Sequence, residues 1–283
     1  MAERCTAILL AAGSGTRMGG GVRKQYRLLG GRPLLSYSLE TLEKSPVITD
    51  IVLVTPEGEQ DFCRREIVEP TEAGLCAAPQ PVSGKRESAG AAGEAAGQGR
   101  AGAQGQRDGQ EAPAPQPVSG KVRAVVAGGA ERCFSVLHGL RAIAWPCDYC
   151  FIHDGARPFL DGATIERLME RVRHGGTAVA GMPVKDTVKL ADARGVVEET
   201  PDRSRVWLVQ TPQTFSYPLI TGAYEKMAAQ YEALTARGVR ITDDAMVVEL
   251  LTGRSVQLVE ASYRNIKVTT QEDLVIAEAF LKA

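Results

Sequence analysis

Three features of the sequence predict an α/β fold with a doubly wound, mainly parallel sheet and one protruding β-arm. Short apolar runs of strand length alternate with segments of helical period, the pattern of strands joined by crossover helices. The first run, Ala7-Ile8-Leu9-Leu10-Ala11-Ala12, passes directly into the glycine loop Gly13-Ser14-Gly15-Thr16-Arg17-Met18-Gly19, followed by Lys24-Gln25-Tyr26. Residues 183–209 alternate polar and apolar side chains about a polar Gly195 region, with little to pack on in their own domain. Exposed arms of that kind often close onto a second subunit, so 183–209 is expected to dimerise.

In chain order, residues 6–12 read as the first strand. A helix follows the glycine loop, with Pro33 in its first turn and Leu34, Leu35, Leu39 and Leu42 on one face. Residues 51–55 form a second strand ended by Pro56, and 62–68 suit a short second helix. Residues 122–127 form a third strand, and Gly128-Gly129-Ala130-Glu131-Arg132-Cys133-Phe134-Ser135-Val136 then opens a helix containing Leu137, Leu140 and Ile143. Residues 149–153 are a fourth strand running into Asp154-Gly155-Ala156-Arg157-Pro158. A helix at 165–172 and a strand at 177–181 precede the arm, in which 183–189 pair with 205–209. The tail adds a helix near 220–236, the acidic turn Thr242-Asp243-Asp244, another helix, a strand at 255–260, and Asn265-Ile266-Lys267-Val268 before a last helix.

Residues 1–283 are expected to be a single domain carrying one insertion. From 73 to 121 the chain is rich in Gly, Ala, Gln and Pro with almost no large apolar residues. The octamer Ala-Pro-Gln-Pro-Val-Ser-Gly-Lys occurs at 78–85 and again at 114–121. Neither copy could bury a hydrophobic face, so the stretch is expected to be a disordered, low-complexity excursion. Such insertions add little loop-closure entropy.

Composition narrows the function classes. At 283 residues and 44% hydrophobic, the chain can bury a large core. A net charge of −1 gives no global pull toward nucleic acid or an anionic membrane, so any polyanion site must be a local cluster of cations. No apolar run is long enough to span a bilayer and strand pattern begins within a few residues, which makes the cytoplasm the expected compartment. Of six cysteines only Cys147 and Cys150 form a C-x-x-C, and His138, His153 and His174 supply no ligand spacing, so reduced cysteines are expected rather than zinc.

The glycine loop is where chemistry is expected. Glycine lets backbone N–H groups approach a phosphate chain, and Arg17 and Lys24 can neutralise charge the amides cannot. It is not a P-loop, because no Gly-Lys-Ser/Thr occurs, and Gly13, Gly15 and Gly19 miss the dinucleotide spacing by one residue. Taken alone it could still be a tight strand-to-helix turn with solvated cations. Asp154 fits a Mg²⁺ ligand, since that ion is held by one or two carboxylates plus phosphate oxygens, and could equally be a turn cap. Lys267 fits a phosphate-side cation or a solvated edge-strand lysine. The loop, the Gly128–Ser135 turn, Asp154 and Lys267 are all expected at the carboxyl edge of the sheet, where α/β folds gather their chemistry.

Resemblance adds to this reading. The stretch Leu10 to Gly19 with Lys24-Gln25-Tyr26 resembles the signature loop of sugar- and polyol-phosphate nucleotidyltransferases, which implies a Rossmann-like sheet of the nucleotide-diphospho-sugar transferase type. Gly128-Gly129-Ala130-Glu131-Arg132 with Ser135-Val136, and His153-Asp154-Gly155-Ala156-Arg157-Pro158, resemble the cytidylyltransferase branch. Pro183-Val184-Lys185-Asp186-Thr187, Thr211-Pro212-Gln213, Thr242-Asp243-Asp244-Ala245 and Asn265-Ile266-Lys267-Val268 are similar to the 2-C-methyl-D-erythritol 4-phosphate cytidylyltransferase family of the non-mevalonate isoprenoid pathway, over essentially the whole chain except the insertion.

That resemblance implies transfer of CMP from CTP to methylerythritol phosphate with release of pyrophosphate, a Mg²⁺ requirement and a homodimer, with no nucleic acid or membrane partner. It implies that Arg17, Lys24 and Lys267 serve the phosphates as catalytic cations, and that Ala11, Ala12, Gly13, Gly15, Gly128, Gly129 and Ser135 bind the nucleotide. Asp154 would take its metal or ribose side. Thr187 and Arg203 would reach the acceptor from a partner subunit's arm, and Thr211, Thr242 and again Lys267 from the home subunit. Gly155 stands where the family usually has alanine, which is expected to relax the turn without removing a ligand. A ribitol 5-phosphate cytidylyltransferase and a non-catalytic CTP-binding protein are the alternatives. The set Thr187, Arg203, Thr211 and Thr242 favours methylerythritol phosphate over the first, and intact Arg17, Lys24 and Lys267 argue against the second.

Overall fold

Alternation begins in the first strand, where Ala7 and Leu9 join one apolar cluster and Ile8 the other. A strand buried on both faces needs helices on both sides, and the chain supplies them. In a computed structural model that describes residues 3–13, 24–69 and 120–282, the elements run β1 (Cys5–Leu10), β2 (Leu28–Leu29), β3 (Arg32–Pro33), α1 (Leu34–Lys44), β4 (Asp50–Thr55), α2 (Gln60–Cys63), β5 (Val122–Ala127), α3 (Arg132–Arg141), β6 (Tyr149–Asp154), α4 (Gly162–Gly175), β7 (Thr177–Pro183), β8 (Leu190–Ala191), β9 (Val197–Glu199), β10 (Trp207–Ser216), α5 (Tyr217–Ala236), α6 (Asp244–Thr252), β11 (Leu258–Glu260) and α7 (Gln271–Lys282). The expected insertion lies outside the described residues apart from Gly120 and Lys121.

The main sheet has the order β11-β7-β10-β6-β1-β4-β5. All its strands are parallel except β10, which runs antiparallel to both β6 and β7. This is the doubly wound, mainly parallel sheet the sequence predicts. Leu35, Leu39 and Leu42 of α1 and Ile165, Leu168 and Val172 of α4 cover one face; Val136 and Leu140 of α3, Tyr224 of α5 and Val248 of α6 cover the other. Each such aliphatic side chain contributes roughly 1.5–3 kcal/mol on full burial.

Several boundaries differ from the sequence reading, each for a local reason. Pro33 is not in the first helical turn: it closes the β2–β3 ladder opposite Leu28 and, with ψ 136°, caps α1 from outside. The second helix is split, Gln60–Cys63 being followed by a wider turn at Arg64–Val68. The strand expected at 255–260 pairs only over Leu258–Glu260. The arm pairs at its base, Trp207 with Pro183 and the Val184 N–H with the Val206 carbonyl at 3.0 Å, but 185–189 carry no ladder. Beyond them β8 and β9 form a separate small hairpin, turning at Gly195 with φ 80°.

Two features of the fold place the site. The ladder of β10 with β7 shifts register between Val209 and Gln213, and this bulge carries Thr211 against the end of β6. At the other flank α7 packs Leu274 and Ala277 on Leu29, Leu34 and Val268, while the Val268 N–H donates to Ala156 at 2.8 Å. Lys267 is thereby set beside the end of β6.

Candidate active site

Four segments meet at the carboxyl edge of the parallel strands around a cavity of about 320 Å³. The end of β1 contributes Leu10 to Gly13, the turn before α3 contributes Gly129 to Arg132 with Ser135 behind it, the end of β6 contributes Asp154 and Ala156, and the loop before α7 contributes Lys267. Gln25 completes the wall. Of the four groups expected to converge, the Gly128–Ser135 turn, Asp154 and Lys267 meet here, with Gly13 from the glycine loop; the rest of that loop, residues 14–23, lies outside the described residues.

One wall is built from backbone and small side chains. The Ala11 N–H donates to Val54 and the Gly128 N–H to Thr55, each at 2.7 Å, so both loops leave the sheet in fixed directions. They then press together: a Cβ on Gly128 would lie 2.3 Å from the Ala12 Cβ, and one on Gly129 would lie 2.4 Å from the Phe134 Cβ. Only glycine fits either place. The Ser135 hydroxyl accepts from the Gly129 N–H and donates to the Glu131 carbonyl, both at 3.1 Å, which locks the turn. Gly155 is also there for space, since a Cβ would meet the Leu35 Cδ1 at 2.5 Å and the Leu10 carbonyl at 3.1 Å. An alanine here would require the end of the Leu35 side chain to shift.

The opposite wall is ionic. Asp154 accepts from Lys267 Nζ on Oδ2 at 2.6 Å and from Arg132 Nε on Oδ1 at 3.2 Å. Arg132 uses its other two nitrogens on Asp244, at 2.9 and 2.8 Å, in a bidentate pair. Tyr224 donates to the same Asp244 carboxylate at 2.5 Å. Burial by itself would raise the Asp154 pKa, but Arg132, then Lys267, outweigh it and hold the carboxyl well below the usual carboxylate range. Burial likewise works against the charge on Arg132, and Asp244 followed by Asp154 keep the guanidinium firmly protonated.

Beneath these groups lies a hydrogen-bonded layer. The Thr211 hydroxyl accepts from the Asp154 N–H at 3.1 Å and sits 3.1 Å from His153 Nδ1. His153 is fully buried, and burial pushes its pKa down to about 4. Asn265 Nδ2 donates to Gln210 Oε1 and to the Thr211 carbonyl, and Arg157 donates to the Asn265 carbonyl. Gln213 clamps the start of α6: it donates to Asp243 at 2.9 Å and accepts from the Ala245 N–H at 2.8 Å, while Asp243 caps the helix through Met246 N.

Ala11, Ala12, Gly13, Gly129, Ser135, Asp154 and Lys267 therefore line the cavity as the sequence leads one to expect, with Gly128 packed just behind. Gly15 and Arg17 lie outside the described residues, and of Lys24 only the backbone is described. Thr211 is buried under Asp154 rather than on the wall; Thr242 is exposed, its hydroxyl 3.6 Å from Met246 Sδ. Thr187 and Arg203 are exposed on the arm and do not line the cavity. Among the described residues the Asp154 carboxylate caps no turn, its partners being Lys267 and Arg132, and Lys267 belongs to no strand. Sequence reasoning passed over Arg132, Asp244 and Gln25. All three stand inside motifs that drew attention, but the Arg132–Asp244 pairing spans 112 residues and leaves no local signal.

The donor set bears on a metal. Among the described residues no group of three or more His, Cys, Asp or Glu side chains could hold an ion. Asp154 offers one carboxylate at the cavity, which fits Mg²⁺ shared with phosphate oxygens and does not fit an ion held by protein alone. No helix among the described residues is long and apolar enough to cross a membrane.

Comparison with known proteins agrees with this architecture. The family model described as 2-C-methyl-D-erythritol 4-phosphate cytidylyltransferase matches residues 5–77 and 107–283. A protein of that name from Geotalea uraniireducens is 40% identical over 282 residues, covering 99% of this chain and 97% of its own. One from Geobacter metallireducens is 40% identical over 279 residues, covering 98% and 97%. The crystal structure of 4-diphosphocytidyl-2C-methyl-D-erythritol synthase from Anaerococcus prevotii superposes with a TM-score of 0.72 at 28% identity, covering 99% of this chain and 97% of that one. With the glycine wall, the ionic wall and the sheet order in place, and relatives matching from end to end, the chain belongs to the 2-C-methyl-D-erythritol 4-phosphate cytidylyltransferase family.

Proposed function

We propose that the protein transfers CMP from CTP to 2-C-methyl-D-erythritol 4-phosphate, giving 4-diphosphocytidyl-2-C-methyl-D-erythritol and pyrophosphate. The end-to-end family match carries this reading. An acceptor phosphate oxygen attacks the α-phosphorus of CTP in line, the bond from that phosphorus to the bridging β-phosphate oxygen breaks, and pyrophosphate leaves. Such a step needs positioning and positive charge more than covalent help from the protein. Lys267 is suited to supply charge: its side chain is 36% exposed, and its ammonium can turn from Asp154 to a phosphate oxygen. Arg17 and Lys24 add charge from the glycine loop.

The wall of Ala11, Ala12, Gly13, Gly128, Gly129 and Ser135 suits a pyrimidine, because fixed amides and carbonyls can match its edge. Gly15 would extend this wall along the phosphates. Arg132 holds Asp154 in place by anchoring on Asp244. Asp154 would hold a Mg²⁺ ion together with phosphate oxygens; that ion would neutralise charge on the phosphates. Thr211 acts through Asp154 and His153, and Thr242 stands at the start of α6 for the acceptor. Thr187 and Arg203 serve the acceptor from the arm of a partner subunit in a homodimer. Among the described residues Cys5, Cys63, Cys133, Cys147 and Cys150 are free, which suits the cytoplasm.

The test is pyrophosphate release from CTP and Mg²⁺ with methylerythritol phosphate and ribitol 5-phosphate offered in parallel, Lys24→Ala serving as control. Turnover with methylerythritol phosphate alone, lost in the variant, is expected. Turnover with ribitol 5-phosphate alone would reassign the acceptor, and silence with both would leave a CTP-binding protein.

A further inference from the structure

Gln25 lines the cavity from the short turn Lys24–Tyr26. It is 1% exposed, and neither its Nε2 nor its Oε1 has a hydrogen-bond partner among the described residues. Buried amides are nearly always paired, because a bare donor and a bare acceptor each carry a desolvation penalty. The turn is held from behind: the Tyr26 ring meets Phe62 edge-on with centroids 5.1 Å apart, and its hydroxyl lies 2.9 Å from Cys63 Sγ. That anchor fixes the backbone of Gln25 beside the cavity. The turn packs on α1, and α1 meets Gly155 through Leu35. Gln25 lines the same cavity as Asp154 and Lys267.

The two bare atoms define the group they fit. An ionised phosphate oxygen only accepts, so it would leave Oε1 unpaired, whereas a hydroxyl both donates and accepts. We propose that Gln25 is a substrate-binding and specificity residue that engages sugar-type hydroxyls, Nε2 donating and Oε1 accepting. This rests on the function proposed above and deepens it. The hydroxyls belong to the ribose of the nucleotide or to the polyol of the acceptor, and experiment separates the two.

The test is Gln25→Met, which keeps length and volume but removes both polar atoms. We expect the ligand-free variant to melt at or above the wild-type temperature, because two unpaired buried groups have gone. KM for one substrate should rise about 10-fold or more with kcat little changed, and the thermal shift given by that substrate should shrink. If ribose is the source, KM for CTP moves, and wild-type enzyme discriminates against 2′- or 3′-deoxy-CTP where the variant does not. If the polyol is the source, KM for methylerythritol phosphate moves and that for CTP stays. A lower ligand-free melting temperature with both KM values and both thermal shifts unmoved would overturn the proposal, since the amide would then be serving the fold. Should wild-type protein itself turn nothing over, the functional reading fails, while the thermal shifts given by CTP and by methylerythritol phosphate still decide Gln25.

Discussion

The carboxyl edge of the sheet and the arm are both rich in charge, yet they hold it in opposite ways. At the edge, Asp154 and Asp244 have side chains only 10% and 0% exposed, and their partners come from α3, α5 and the loop before α7. On the arm, β8 and β9 are exposed throughout and the ion pair is local, Arg194 to Asp192 two residues away. The contacts that fasten the arm gather at its base, where Lys185 lies over the Tyr263 ring and the Tyr263 hydroxyl donates to Pro183. A buried charge must be paired by the fold, so its position is set before any ligand arrives. A charge on an exposed hairpin is positioned by whatever the hairpin meets. The difference separates groups held by partners distant in sequence from groups on the arm, such as Arg203, whose contact with the Lys185 carbonyl stays within the arm itself.

The largest break in that contrast should come at Asp244. Asp244→Ala leaves Arg132 buried without its bidentate partner and frees the Tyr224 hydroxyl, and should cost about 3–5 kcal/mol in urea unfolding. Activity should fall as well, because Arg132 no longer holds Asp154. Unchanged stability would show that the network is not what the geometry makes it.

Next in size is Lys267→Met, which should lower kcat about 10²–10³-fold while the protein stays folded, as expected for one cation facing developing phosphate charge. A fall confined to KM would move Lys267 out of the transition state.

Acid separates the two regions again. His153 has a folded pKa of about 4 against an ordinary 6.5, so the unfolded chain takes up a proton that the folded chain refuses. Stability is complete above about pH 6.5 and declines as pH falls toward 4, by up to about 3 kcal/mol. Asp154, whose folded pKa is depressed, adds a further loss below about pH 4 as the unfolded carboxylate protonates first. Urea midpoints between pH 7.5 and 4.5 should show the first effect, and His153→Gln should flatten it.

The smallest effect on stability is expected on the arm. Thr187→Val and Arg203→Ala should each change unfolding free energy by less than about 0.5 kcal/mol, yet raise KM for the acceptor. On the proposal that the arm reaches the site of a partner subunit, mixing Arg203→Ala and Lys267→Met subunits should restore about a quarter of wild-type activity, because half the dimers would then carry one intact site. No recovery would mean that the arm serves its own subunit.

Much of this was legible in the chain itself. The continuous apolar run from Ala7 to Ala12 and the leucine spacing of α1 announce a strand covered on both faces and a helix that covers it. Gly128 and Gly129 announce a place where a Cβ has no room, and the motif around Asp154 announces charge at a strand end. These are local signals, written within a few residues by backbone sterics and hydrophobic period. Tertiary structure alone decided the rest: that β10 enters the sheet antiparallel with a bulge that sets Thr211 under Asp154, that Arg132 bridges Asp154 to Asp244 from 112 residues away, and that Gln25 is buried with its amide bare. Such facts depend on which distant groups exclude water from one another. That is settled only when the layers close.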